Sequence, residues 1–194
     1  MRARADAVSR TRQEIVRCAA GRLRGSSEPV TLAGIAAAAG VSRSTVYRHF
    51  RSITSLLDAV AADLLSRARF DQLLAAVSLP EPGAALAEVT RLGCGIWAID
   101  PDLVRNLLAL ARAQADALPV IGQLEDGRVQ VMEHLVQRLD DTGALAADLS
   151  RRDAVDLLVA ATGFAGWDQI VTARQRSPGT ATSLIVRLAL RAVT

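Results

Sequence analysis

Between Gly40 and Phe50 the chain reads GVSRSTVYRHF. Two guanidinium groups, several hydroxyls and an imidazole fall within three helical turns, directly after a glycine. A helix that only packed against a core would not need so many hydrogen-bond donors. Such an array suits phosphate oxygens and the edges of bases. Arg43, Ser44 and Thr45 fall on the first turns, which face base edges when such a helix lies in a major groove. Arg43 can grip guanine O6 and N7 with two hydrogen bonds, about 1–3 kcal/mol of discrimination. Thr45 offers a methyl to thymine and a hydroxyl to phosphate or base. Tyr47 and His49 are longer and alternate along the helix, so they suit the phosphates flanking the groove. Arg48 can serve either purpose.

The elements that position these groups follow from punctuation and period. Ile15, Ala19 and Leu23 recur every four residues, so a helix is expected over about 10–24, after a basic arm over 1–9. GSSEP (25–29) breaks it. Thr31 caps a short helix, LAGIAAAAG, which Gly40 ends by supplying a left-handed backbone angle. Ser42 caps the next helix, to about Phe50. Ser52 starts a further one, to about residue 69, with Leu57, Val60, Ala61, Leu64 and Ala68 on one face. Helix, Gly-containing turn and second helix make a helix-turn-helix. The four alanines at 36–39 suit a close crossing there, and Val46 and Phe50 form the inner face of the second helix. Thr31, Ser42 and Ser52 all sit at helix starts, where N–H groups favour phosphate.

Each member also has a plainer use. Thr31 and Ser42 serve equally as caps, Tyr47 can pack on the first helix, and His49 can be an ordinary surface residue. Arg2, Arg4, Arg10 and Arg12 suit a solvated tail, or an arm along the DNA backbone or into the minor groove.

Charge favours the nucleic-acid alternative. Of the chain's 194 residues, 1–51 hold ten arginines against Asp6, Glu14 and Glu28, an excess of seven positive charges. Residues 52–194 hold thirteen arginines against seventeen acids, a deficit of four. An anion-binding module joined to a mildly acidic body is the implied organisation. No apolar run spans a bilayer, no secretory signal is visible, and Cys18 and Cys94 sit in apolar helical patterns as small buried hydrophobes. The expected setting is cytoplasmic, with reduced thiols.

The run TLAGIAAAAGVSRSTVYRHFRSITSLLDAV (Thr31–Val60), with Ile15–Leu23 before it, resembles the DNA-binding domain of the TetR family of bacterial repressors. The resemblance covers roughly the first third of the chain. It rests on the Thr before the first motif helix, Ala-Gly-Val-Ser at the turn, Tyr-x-His-Phe, and a Leu-Leu pair. It implies DNA contacts at Thr31, Arg43, Ser44, Thr45, Tyr47 and His49. Two positions depart from the pattern. Leu23 stands where the family tends to have Phe, a conservative change for a core. Ile53 stands where the family has a phosphate-touching Lys at the start of the fourth helix, and Arg51 or the Ser52 N–H is the expected substitute.

The implied fold class is all-α. A DNA-binding head occupies 1–51, a linking fourth helix about 52–69, and a helical effector-binding and dimerisation body 70–194. The body's punctuation agrees: a boundary at SLPEPG (78–83), Asp100–Pro101 opening a helix, a long helix from about Pro119 to DDTG (140–143), a cap at SRRD (150–153), and SPG (177–179) opening the last helix. No strand is expected.

Two long C-terminal helices are expected to form a homodimer interface, through Ala161 and Ala165 in the small-residue run AATGFAG (160–166) and the stripe Leu184, Ile185, Leu188 and Ala192. A dimer would read a palindromic operator, its recognition helices one DNA turn apart, roughly 34–36 Å. Trp97, Leu107, Met132, Phe164 and Trp167 are the candidate pocket for a small, largely apolar effector, with His134, Thr162 and Gln169 as polar company. The body's negative charge also admits a cationic ligand.

No phosphate loop, dinucleotide fingerprint or nucleophile motif is found, and two histidines make a metal or triad site improbable. No catalytic residue, metal or cofactor is therefore expected. The rival readings are a regulator without an effector, and a helical protein whose basic head binds an acidic partner.

Overall fold

The computed structural model describes residues 2–25, 30–113 and 118–194. Among these, regular structure is entirely helical. The chain forms two compact units. One comprises Met1–Ser66 and Asp102–Gln123, the other Arg67–Pro101 and Leu124–Thr194.

In the first unit, α1 (Arg2–Gly25) packs on α4 (Ile53–Leu65) and on α2 (Leu32–Ala38), and α2 packs on α3 (Arg43–His49). Ile15, Val16, Ala19 and Leu23 of α1 are buried, as are Ile35, Val46, Phe50, Leu56, Leu57, Val60 and Leu64. Two boundaries differ from expectation. The helix begins at Arg2, so residues 2–9 are the first turns of α1 and not an arm. No Gly or Pro interrupts this stretch, and Arg and Ala are strong helix formers. Residues 6–10 are exposed and need no apolar period, the signal on which the sequence boundary was placed. At the other end α4 stops at Leu65, short of residue 69, leaving Ala68 in the following turn.

Residues 102–113 and 118–123, assigned by sequence to the body, pack with the first unit. Within it, Asn106 Nδ2 of α7 (Pro101–Ala113) donates to the Leu23 carbonyl at 2.6 Å, near the end of α1. The Val120 N–H, in the first turn of α8 (Pro119–Asp141), donates to Asp58 Oδ1 of α4 at 3.0 Å. A carboxylate on α4 thus satisfies one of the unpaired N–H groups at a helix start.

The second unit holds α5 (Phe70–Val77), α6 (Pro82–Trp97), most of α8, α9 (Arg151–Ala161), α10 (Phe164–Asp168) running into a π-helical turn (Gln169–Ala173), and α11 (Pro178–Val193). Its core gathers Leu86, Val89, Met132, Leu135, Leu139, Leu158 and Ala189. The helix punctuation holds locally. Ser177 caps α11 with Pro178 at its first position, and Gly143 closes α8 at φ 68°. Ser150 accepts from the Asp153 N–H at 3.1 Å, but Asp153 answers through the Ser150 hydroxyl at 2.6 Å. Asp is one methylene shorter than the Glu of a full capping box.

The run AATGFAG does not lie inside one helix. Gly163 is extended (φ −68°, ψ 157°) and separates α9 from α10. The break frees carbonyls that side chains then satisfy. Arg128 Nη1 donates to the Val159 carbonyl at 2.9 Å, and Trp97 Nε1 donates to the Thr162 carbonyl at 3.3 Å.

Among the described residues no single helix is long and apolar enough to cross a membrane. Cys94 is buried and Cys18 only partly so; both are free thiols. Burial pushes the Cys94 thiol up to about 11.

Candidate nucleic-acid interface

The turn between α2 and α3 depends on Gly40, which adopts φ +64°. Its N–H reaches the Ala37 carbonyl at 3.3 Å, and the Val41 N–H reaches that of Ala36 at 3.1 Å. Of the four alanines only Ala36 is buried, while Ala37 and Ala38 face outward. Small size is therefore needed once, not four times.

Thr31 and Ser42 are the caps the sequence implies. Thr31 Oγ1 accepts from the Gly34 N–H at 3.1 Å, and Ser42 Oγ accepts from the Thr45 N–H at 3.1 Å. Capping uses each oxygen as acceptor and leaves the hydroxyl proton available to a phosphate, so the two roles are compatible. Ser42 Oγ also lies 2.8 Å from both Ser44 Oγ and Thr45 Oγ1. This trio satisfies itself and can exchange those bonds for outside acceptors.

Helix α3 buries Val46 completely, and Phe50, just after it, is 1% exposed. Those two side chains seat the helix. Arg43, Ser44, Tyr47 and Arg48 face outward, and Tyr47 is 54% exposed, which removes the alternative of packing on α1. Neither Arg43 nor Arg48 makes an ion pair among the described residues. His49 is half-buried, and its imidazole is held below the usual histidine range by burial first, then by the charges of Arg48 and Arg12.

Around Ile53 the substitutes differ in availability. Arg51 is exposed. The Ser52 N–H already donates to Ser55 Oγ at 3.3 Å, and the Ser55 N–H donates to Ser52 Oγ at 3.1 Å. The reciprocal partner, Ser55, is a serine where a capping box usually has Glu or Gln, and the sequence pattern missed it for that reason.

In the second unit Trp97, Phe164 and Trp167 come together. Trp97 and Phe164 meet edge to face with centroids 5.8 Å apart, and Phe164 and Trp167 lie 6.2 Å apart. Met132 belongs to the main core of that unit, and Leu107 is buried in the first unit. Thr162 is buried and hydrogen-bonded to the Leu158 carbonyl at 2.7 Å, whereas His134 and Gln169 are exposed. Two groups escaped sequence reasoning. Arg128 donates to Thr162 Oγ1 at 3.2 Å, and Thr90 Oγ1 is buried with no hydrogen-bond partner among the described residues. Of the interface candidates, Ile185 points into its own unit and is 3% exposed, Leu188 is 51% exposed, Ala165 is exposed, and Ala161 and Leu184 are half-buried. Among the described residues no cluster of His, Cys, Asp and Glu could hold a metal.

A capped, three-helix head presenting an outward-facing second motif helix has the arrangement of a helix-turn-helix. Residues 27–60 match the sequence model of the bacterial regulatory proteins of the tetR family. The whole chain has the fold of TetR-family transcription regulators. NalD of Pseudomonas aeruginosa, described as the secondary repressor of the MexAB-OprM multidrug efflux pump, superposes with a TM-score of 0.73. It is 20% identical over 97% of this chain and 98% of its own. A TetR transcription regulator from Haloarcula marismortui has a TM-score of 0.70 at 21% identity, covering 96% and 100%. The SmeT–triclosan complex has 0.67 at 19%, covering 95% and 91%. No curated protein matches the chain.

Proposed function

We propose that this protein is a sequence-specific repressor that binds a palindromic operator as a homodimer and is released by a small, largely apolar effector. The observation that carries the DNA-binding part is the orientation of α3. Val46 turns inward, while Arg43, Ser44, Tyr47 and Arg48 turn out. Arg43, Ser44 and Thr45 read base edges. Thr31, Ser42, Tyr47 and His49 hold phosphates, with Arg48, Arg51 and Ser52 beside them. The division of labour is one of position against specificity.

The effector reading is supported by the Trp97, Phe164 and Trp167 group, since ligand pockets are mostly apolar and aromatic. The similar SmeT is seen in complex with triclosan, and the similar NalD is a repressor. Release would be a population shift. The effector favours a conformation in which the two recognition helices are wrongly spaced, and weakens DNA binding only by its ratio of affinities for the two states.

Selection of a randomised duplex on the purified protein, followed by titration of the winner, tests this. A palindrome should emerge. Arg43→Ala should flatten base preference at one position in each half-site, by about 1–3 kcal/mol. Tyr47→Phe should weaken all sequences alike. Failure to enrich any sequence would favour the acidic-partner reading. An enriched palindrome whose binding no apolar compound alters would favour a regulator without an effector.

A further inference from the structure

The resemblance implies a phosphate-touching Lys at position 53, and this chain has Ile53 there. The Ser52 N–H is a poor replacement, because it already donates to Ser55 Oγ at 3.3 Å. A cation from a different helix stands nearby. Arg12 of α1 places its guanidinium carbon 4.6 Å from the centroid of the Phe50 ring. Phe50 caps the C-terminal end of α3, and its ring lies 6.5 Å from the His49 imidazole. The charge of Arg12 is felt at His49 alongside that of Arg48.

Arg12 is exposed and pairs with no carboxylate among the described residues. The nearest acid along α1, Glu14, is taken by Arg17 at 2.6 Å. A guanidinium held over a ring by its charge still has N–H donors to offer an anion. The ring belongs to a fully seated side chain, which gives the guanidinium a fixed surface to rest on. The end of α3 is also where an added cation has most effect. Carbonyls at a helix C-terminus carry partial negative charge and repel phosphate, and a cation there offsets them.

We propose that Arg12 is a DNA-backbone contact from outside the helix-turn-helix, seated on Phe50 so that α1 and the end of α3 grip the phosphates together through Arg12, Arg48 and His49. The proposal rests on the DNA-binding function proposed above. It adds a phosphate contact from α1 at the end of α3.

The full-length protein, its Arg12→Gln variant and its Arg12→Lys variant should be titrated with a mixed-sequence duplex and with the selected duplex over a range of salt. Arg12→Gln should weaken both by a similar factor, about five- to tenfold, leave base preference unchanged, and make the dependence of log affinity on log salt shallower by about one. Arg12→Lys should keep the salt slope, since it keeps the charge. A lowered melting temperature with an unchanged salt slope would make Arg12 a packing residue only and overturn the proposal. So would wild-type affinity and slope in Arg12→Gln. If the wild-type protein itself binds neither duplex, the DNA-binding reading has failed, and that is visible before any variant is made.

Discussion

His49 illustrates how one residue's surroundings set a testable response. Burial, Arg48 and Arg12 all disfavour its protonated form, so the free protein keeps it neutral to below the ordinary value of 6.5. A phosphate beside it would favour the charged form and raise its pKa in the complex. Binding then takes up a proton between the two values. Affinity for DNA should rise as pH falls from about 8 toward 6, and His49→Gln should flatten the rise in an anisotropy titration. For folding the sign is opposite. The unfolded chain protonates His49 first, so this residue's contribution lowers stability as pH falls below 6.5 toward the folded value. Much of this site was legible in the residue types, since Arg43, Tyr47 and His49 carry donors with no business in a core. The Arg12–Phe50 contact was not. It joins residues 38 positions apart, and no local pattern reports a pair at that separation.

At the scale of elements, Gly40 and Arg128 do comparable jobs by different means. Gly40 sets the angle between α2 and α3 by adopting φ +64° with open space where a Cβ would stand. The cost of Gly40→Ala is therefore backbone strain alone, about 1–2 kcal/mol. It should appear as a lower denaturation midpoint together with weaker DNA binding. Arg128 holds the break between α9 and α10 by donating to the Val159 carbonyl and to Thr162 Oγ1. Its side chain is 16% exposed. Arg128→Met should cost about 1–3 kcal/mol in denaturant unfolding, because a part-buried carbonyl and the buried Thr162 hydroxyl lose a donor. The caps Thr31, Ser42, Ser150 and Ser177 could be placed from sequence because a cap is a contact within three residues. The end of α4 and the start of α1 could not, because exposed turns carry no apolar period.

For the whole molecule the question is what covers Leu157 and Leu188. They are 43% and 51% exposed and lie on α9 and α11, which pack against each other. Within the proposed dimer both would be buried by the second copy. Leu188→Glu should then shift the protein to monomer in sedimentation at micromolar concentration. It should also weaken operator binding steeply, since one head gains nothing from its neighbour. An unchanged sedimentation coefficient would place the interface elsewhere.

The all-helical class, the helix-turn-helix, its caps and the residues that face outward from α3 could all be read from residue types and spacing. Each of these is a property of periodicity and of contacts a few residues long. Tertiary structure decided which residues share a unit. It placed 102–113 and 118–123 with the first unit through Asn106 and Asp58, turned Ile185 inward, assigned Leu107 to the first unit and the aromatic group to the second, and set Arg12 on Phe50. Such pairings join distant positions. They depend on how helices of similar apolar character divide the core among themselves, and side-chain type alone does not specify that division.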